Sequence, residues 1–333
     1  MNKIDQEVTN TTVNTEISEN TSQDPKRPSV VILLTVYEPW IPYLNLQLQS
    51  IASQTFQDFK CIVAFDGPVD WAVVEECPIL STNKRFLVRG FKMRVGLYAH
   101  VERILKEFAF VAKYFAISDQ DDIWLQNRLD SQVTALEKSG FDLVTDNALL
   151  VDCKSESLRV SLFRCLKISR RSMRYVLTTN FATGAGSLYR SEILELCLPF
   201  PDNFGLALHD HWLASVATNR SGSIVSDEQT WKYRQHDRNV VGAFRGRSRN
   251  QAIIALVQKL IEIVLGRDPN VDKQIAENVT LLYNRMGAIK HGIVDPMLNR
   301  NLAGRLKFLM PSELWDSRLD SLRIFRNSIL KNA

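Results

Sequence analysis

Between residues 29 and 145 the chain alternates short apolar runs with amphipathic stretches, and each run stops at polar turn residues. Ser29-Val-Val-Ile-Leu-Leu-Thr35 is rich in β-branched residues and has the pattern of a strand buried on both faces. Leu44, Leu48 and Ile51 then recur at helical spacing, and the next run, Phe59–Phe65, ends at the turn Asp66-Gly67-Pro68. Strand, helix, strand is the opening of a parallel sheet. A third run, Phe86–Arg89, precedes a stretch in which Leu97, Tyr98, Val101, Ile104, Leu105 and Phe108 share one helical face. That helix leads into the run Lys113–Ser118. Leu129, Val133 and Leu136 form a further stripe stopped by Gly140, and Phe141–Thr145 reads as another strand. The pattern predicts an α/β fold with a mostly parallel central sheet flanked by helices. Ligands bind beyond the carboxyl ends of strands in such sheets, and both Asp66 and Asp119–Asp122 fall there.

The two ends read differently. Residues 1–28 are Asn, Thr, Ser, Glu and Gln with almost nothing apolar, a composition that cannot offset the entropy of ordering, so a disordered tail is expected. Residues 29–245 form the main domain and 246–333 a helical C-terminal appendage, with apolar stripes at 251–265, at Leu302, Leu306 and Leu309, and at Leu319, Leu322 and Phe325. The net charge of +4 is unevenly spread: residues 1–24 hold five acids and one lysine, residues 245–333 fifteen Lys/Arg and eight acids. A basic amphipathic appendage fits docking at a membrane surface, covering of the sheet, or a homo-oligomer contact, and the three stay open. Nucleic acid is not expected, because the bases are not interleaved with aromatic residues.

Composition adds exclusions. At 45% apolar and 23% charged residues the chain is an ordinary globular protein. No run reaches the roughly 18 apolar residues of a membrane span, and the N-terminus lacks the order of a signal peptide, which implies a cytoplasmic protein. Five cysteines form no CxxC pair and no zinc-like cluster with the five histidines.

The chemistry concentrates at three places. Asp119-Gln120-Asp121-Asp122 crowds three carboxylates into one turn, a repulsion that a hard cation relieves; an acidic loop is the plainer reading. His209-Asp210-His211-Trp212 opens a helix, where Asp210 is either a cap or a general base. Tyr233-Arg234-Gln235-His236 offers basic groups for a diphosphate, or is a surface loop. Gly184 and Gly186 allow close backbone approach to a substrate or mark a bend, and His100 and His291 read as structural.

Taken together in chain order, Thr35-Val-Tyr-Glu38, Ser50–Phe59, Asp66-Gly67, Ser118–Trp124, Thr183–Gly186, His209–Trp212 and Tyr233–His236 resemble the family-2 glycosyltransferases of GT-A fold, in particular rhamnosyltransferase-like bacterial members. The resemblance spans about residues 29–245. It implies a nucleotide-sugar donor bordered by Thr35, Glu38, Asp66, Asp119, Arg234 and His236. It also implies a divalent cation, Mn²⁺ or Mg²⁺, on Asp121 with Asp119 and His236, and Asp210 as the base of an inverting transfer. Asp122, Trp124, Gly184 and Trp212 are implied sugar or acceptor contacts, and the acceptor class is a cell-surface glycan or a lipid-linked sugar. The turn Phe65-Asp66-Gly67-Pro68 has one acid where many relatives carry two, and Val36-Tyr37-Glu38-Pro39 replaces a commoner Tyr-Asn pairing. Two other classes remain in view. A sugar-1-phosphate nucleotidyltransferase would need a Gly-rich first turn, which is absent, and a non-catalytic nucleotide- or glycan-binding module would use the same acids.

Overall fold

The computed structural model describes residues 27–162, 169–170, 176, 181–202, 209–236, 278 and 280–287. Four parallel strands, β1 (Val30–Val36), β2 (Phe59–Phe65), β3 (Phe86–Arg89) and β4 (Tyr114–Ser118), lie in the order β3-β2-β1-β4. Every residue of β1 is buried. Successive residues enter opposite cores: Val31 and Leu33 join one cluster, Val30, Ile32 and Leu34 the other. This is the period of two expected of a strand covered on both faces, and each such side chain contributes roughly 1.5–3 kcal/mol by leaving water.

Helices α1 (Ile41–Ala52) and α5 (Arg128–Ser139) cover one face through Leu44, Leu48, Ile51, Leu129 and Leu136. Helix α4 (Leu97–Phe108) covers the other through Val101, Ile104 and Leu105. Gly140 ends α5 at φ +67°, a conformation that favours glycine. The short helices α2 (Trp71–Glu75), α3 (Ile79–Thr82) and α6 (Leu194–Cys197) fill connections.

The remaining strands make the sheet mixed. β9 (Ser187–Arg190) runs antiparallel between β4 and β6 (Leu143–Val151), and β10 (Ser223–Arg234) pairs parallel to β6 across a register break between Ser226 and Trp231. β7 (Ser157–Ser161) and β8 (Ser169–Arg170) are edge additions to β6 and β10. β5 (Ile123–Trp124) pairs antiparallel with β10, Trp124 opposite Trp231, which carries the acidic turn before β5 to the end of β10. α7 (His209–Arg220) is buried from His209 to Asn219, beyond the stripe that Trp212, Leu213, Val216 and Ala217 would give alone.

Residues 280–286 are helical; Leu282 is fully buried in the same cluster as Trp212, and Arg285 donates to the carbonyls of Leu198 and Pro199. That stretch of the C-terminal region therefore covers the core. Residues 1–26, the stripes at 251–265, 302–309 and 319–325, and His291 lie outside the described residues. No helix among the described residues is long and apolar enough to cross a membrane.

Candidate active site

The acidic turn leaves β4 at Ser118 and divides its carboxylates. Asp121 meets His236, with Oδ2 and Nε2 2.7 Å apart, and both side chains stay partly exposed. Asp122 turns inward: its Oδ1 accepts from the Arg234 backbone N–H at 3.2 Å, and its Oδ2 is buried without a hydrogen-bond partner. Burial, then the charges of Asp121 and Asp119, push its carboxyl well above the usual carboxylate range. Asp119 is pushed up to about 7 by burial, then by Asp121 and Asp210. The Gly184–Gly186 turn, whose Gly184 N–H bonds Asp210, precedes β9 and lies beside the Ser118 end of β4, which brings the helix start and the acidic turn to one place.

Asp210 opens α7, and its carboxylate accepts from the Gly184 N–H at 3.2 Å and from the His211 N–H at 2.7 Å. Gly184 is required here by space, since a Cβ on it would stand 2.6 Å from Nε2 of His209. Neither ring nitrogen of His209 has a hydrogen-bond partner, and burial lowers its pKa, as it lowers that of His211, whose Nε2 lies 2.6 Å from the Val176 carbonyl. Both imidazoles are therefore neutral at pH 7.

Asp66, at the end of β2, accepts from the N–H groups of Val95 and Gly96 at 3.0 and 2.9 Å and from Arg103 at 2.8 Å. It fastens the loop before α4 to the sheet. Arg94 in that loop lies over the Tyr37 ring at 3.7 Å. Thr35 directs its hydroxyl to the Ser118 carbonyl at 3.4 Å, and Glu38, exposed and at φ +41°, accepts from the Tyr37 hydroxyl at 2.5 Å. His100 is structural, as expected: it is buried, with Nε2 3.0 Å from the Ala64 carbonyl.

Four of the expected contact residues are buried. Asp122 is 0% exposed and faces Arg234 rather than a sugar. Trp124 is 2% exposed, with the Arg128 guanidinium 3.9 Å from its ring centre. Trp212 is 0% exposed, and its indole N–H donates to the Cys197 carbonyl. Arg234 is also fully buried: Nε donates to the Asp121 carbonyl at 2.8 Å, Nη1 to Ser155 Oγ at 2.7 Å, and its plane covers the Tyr43 ring at 4.1 Å. It braces the acidic turn from below instead of reaching toward a diphosphate.

The sequence reading missed two buried ionisable groups near the turn, Arg128 and Asp146. Arg128 is pulled down to about 9 by burial, against the charges of Asp146 and Asp122. Asp146, bonded to Thr230 at 2.7 Å, is pushed up to about 7 by burial. No pattern marks either residue, because Arg and Asp in an element are surface residues by default.

Among the described residues no group of three His, Cys, Asp or Glu closes on one point as a preformed metal centre. The chemistry of Asp121, His236 and Asp119 still suits a divalent cation. Oxygen and imidazole donors meet there, and the neighbouring carboxylates that add to burial in raising Asp119 are a charge excess that a cation offsets.

Residues 30–197, about half the chain, match the model of glycosyl transferase family 2. An uncharacterised glycosyltransferase of Methanocaldococcus jannaschii is 24% identical over 224 residues, 64% of this chain and 73% of the relative. One of Haemophilus influenzae is 30% identical over 112 residues, 34% of each chain. In fold, the chain is similar to residues 1–349 of Staphylococcus aureus TarS crystallised with UDP-GlcNAc, with a TM-score of 0.50, 15% identity, and 84% and 79% of the two chains covered. The mixed sheet, with the acidic turn at the end of β4, is the GT-A arrangement, and this chain belongs to glycosyl transferase family 2.

Proposed function

We propose that this glycosyltransferase moves a sugar from a nucleoside-diphosphate donor to a hydroxyl of a cell-surface glycan or lipid-linked acceptor, with inversion at the anomeric carbon. The observation that carries this reading is that β9 runs antiparallel beside β4, so the Gly184–Gly186 turn before it, which bonds Asp210, lies at the Ser118 end that leads into Asp119 and Asp121. The fold shared with TarS, which was crystallised with UDP-GlcNAc, supports the donor class.

In this reading Thr35, Glu38 and Asp66 border the nucleoside, and Asp119, Asp121 and His236 the diphosphate. A divalent cation held by Asp121 and His236 would offset the charge on the leaving diphosphate. Asp210 takes the proton of the acceptor hydroxyl as its oxygen bonds to the anomeric carbon. The bond from that carbon to the diphosphate oxygen breaks, and the nucleoside diphosphate leaves. Bonds from the Gly184 and His211 N–H groups orient the Asp210 carboxylate for that role. A single displacement needs one base and no covalent enzyme intermediate.

The test is nucleotide release from a panel of activated sugars, deoxythymidine-linked deoxysugars among them, with Mn²⁺ or Mg²⁺. Turnover by the parent, and its loss in Asp121→Ala and Asp210→Ala, is the expected result. Full turnover by both variants would overturn the assigned roles.

A further inference from the structure

Gln120 lies between Asp119 and Asp121, yet its polar contacts are with the other side of the cleft. Its amide oxygen accepts from the Tyr37 N–H at 2.8 Å, and its amide nitrogen donates to the Tyr37 carbonyl at 2.9 Å. A side-chain amide bonded to both backbone groups of one residue reproduces the two-bond pairing of an antiparallel strand neighbour. The position matters, because the β1–β4 ladder ends at Leu34 opposite Ser118, and the Gln120 amide continues the connection where the two backbones have separated.

Tyr37 is itself part of the opposite wall. The preceding Val36 carbonyl accepts from the Asp66 N–H at 2.9 Å. The Tyr37 ring lies under the Arg94 guanidinium at 3.7 Å, and Arg94 Nε is 3.9 Å from the Asp66 carboxylate. Tyr37, Arg94 and Asp66 are thus one mechanical unit, and Asp119 and Asp121 are the covalent neighbours of Gln120. Among the described residues the side-chain link between these two units is the Gln120 amide.

We infer that Gln120 is a positioning residue that sets the distance between the nucleoside side of the donor cleft, at Tyr37, Arg94 and Asp66, and its diphosphate side, at Asp119 and Asp121. The inference rests on the donor reading given above. A donor that spans both walls binds well only when their spacing matches its own, whereas a ligand that touches one wall is indifferent to it.

Gln120→Met keeps the side-chain length and removes both bonds, and Gln120→Glu keeps the acceptor and loses the donor. Two readouts are needed. Hydrogen exchange at the Tyr37 amide is expected to quicken in Gln120→Met and to stay closer to the parent rate in Gln120→Glu. Affinity for whichever of uridine, deoxythymidine or guanosine diphosphate binds the parent with Mn²⁺ is expected to fall about tenfold in Gln120→Met, the scale of one or two lost net hydrogen bonds. Inorganic pyrophosphate with Mn²⁺ should bind the variant and the parent alike, and the KM for donor should rise more than kcat falls. Unchanged exchange at Tyr37, unchanged nucleotide affinity, or an equal loss of pyrophosphate affinity would overturn the assignment. A parent protein that bound none of the three nucleotides would instead overturn the donor reading, and this inference with it.

Discussion

Nε2 of His236 lies 2.7 Å from Oδ2 of Asp121, across a sequence separation of 115 residues. The pairing of β5 with β10 makes the contact, and Arg234, two residues earlier, locks it by bonding to the Asp121 carbonyl. An imidazole against a carboxylate at the rim of a cleft is a pair that a divalent cation can take over.

His236→Ala is therefore expected to lower cation-dependent turnover by about 10–100-fold and to raise the Mn²⁺ concentration that half-saturates activity. Titrating turnover with Mn²⁺ in parent and variant checks this. A half-saturation point that does not move would leave His236 outside the cation's reach.

Asp210→Asn keeps the shape of the side chain and an acceptor for the Gly184 N–H, but its amide cannot take a proton. The expected outcome is a fall in kcat of about 10²–10⁴ with donor affinity unchanged. Single-turnover kinetics beside equilibrium donor binding separate the two. A variant with parental kcat would place the base elsewhere.

Gly184→Ala tests the support of that base. The added Cβ would stand 2.6 Å from Nε2 of His209, so either the buried ring or the backbone that donates to Asp210 must shift. Displacements near 1 Å at a reacting group cost up to about 100-fold in rate, and turnover is expected to drop toward that scale while the protein stays folded. Circular dichroism with kinetics decides it: a folded variant at full rate would mean that the close packing at Gly184 has no bearing on Asp210.

The parts of this architecture that were legible in the chain are those where burial imposes a period. β1 and β2 are covered on both faces, so apolar residues run unbroken, and α4 shows its inward face every three to four residues. β10 was not legible as a strand, because Ser226-Asp-Glu-Gln-Thr230 is polar and holds the register break with β6. The burial of Trp124 and Trp212 has a geometric reason. Trp212 is two residues after Asp210, about 200° around a helix, so the ring enters the core when the carboxylate faces the cleft. Trp124 follows Asp122 by two along an extended segment, and both point inward, while Asp121 takes the other side. Neighbourhood in sequence cannot tell which side chains of a turn are buried, and the periods of helix and strand decide it.

Asp146 adds to the pH dependence of stability with a definite sign. Burial raises its carboxyl from the ordinary 3.8 to about 7, more than the Thr230 bond and the Arg128 charge lower it. The folded protein therefore holds a proton that the unfolded chain has lost between these two values, and stability falls as pH rises through that window. The histidines His100, His209 and His211, all lowered by burial, act in the opposite sense as the unfolded chain loses its protons around the ordinary histidine value of 6.5. The contribution of Asp146 is therefore read as the difference between the parent and a variant that lacks only this carboxyl. One such group is expected to remove about 1 kcal/mol of stability between pH 6.5 and 8, and Asp119, raised in the same way, adds to it. Urea unfolding at pH 6.5 and 8 measures the loss. Asp146→Asn should lose less stability than the parent over that interval, by about 1 kcal/mol, because an amide keeps the acceptor for Thr230 without a charge to bury and the histidine contributions cancel in the comparison. Equal slopes in parent and variant would show that Asp146 does not carry the titration.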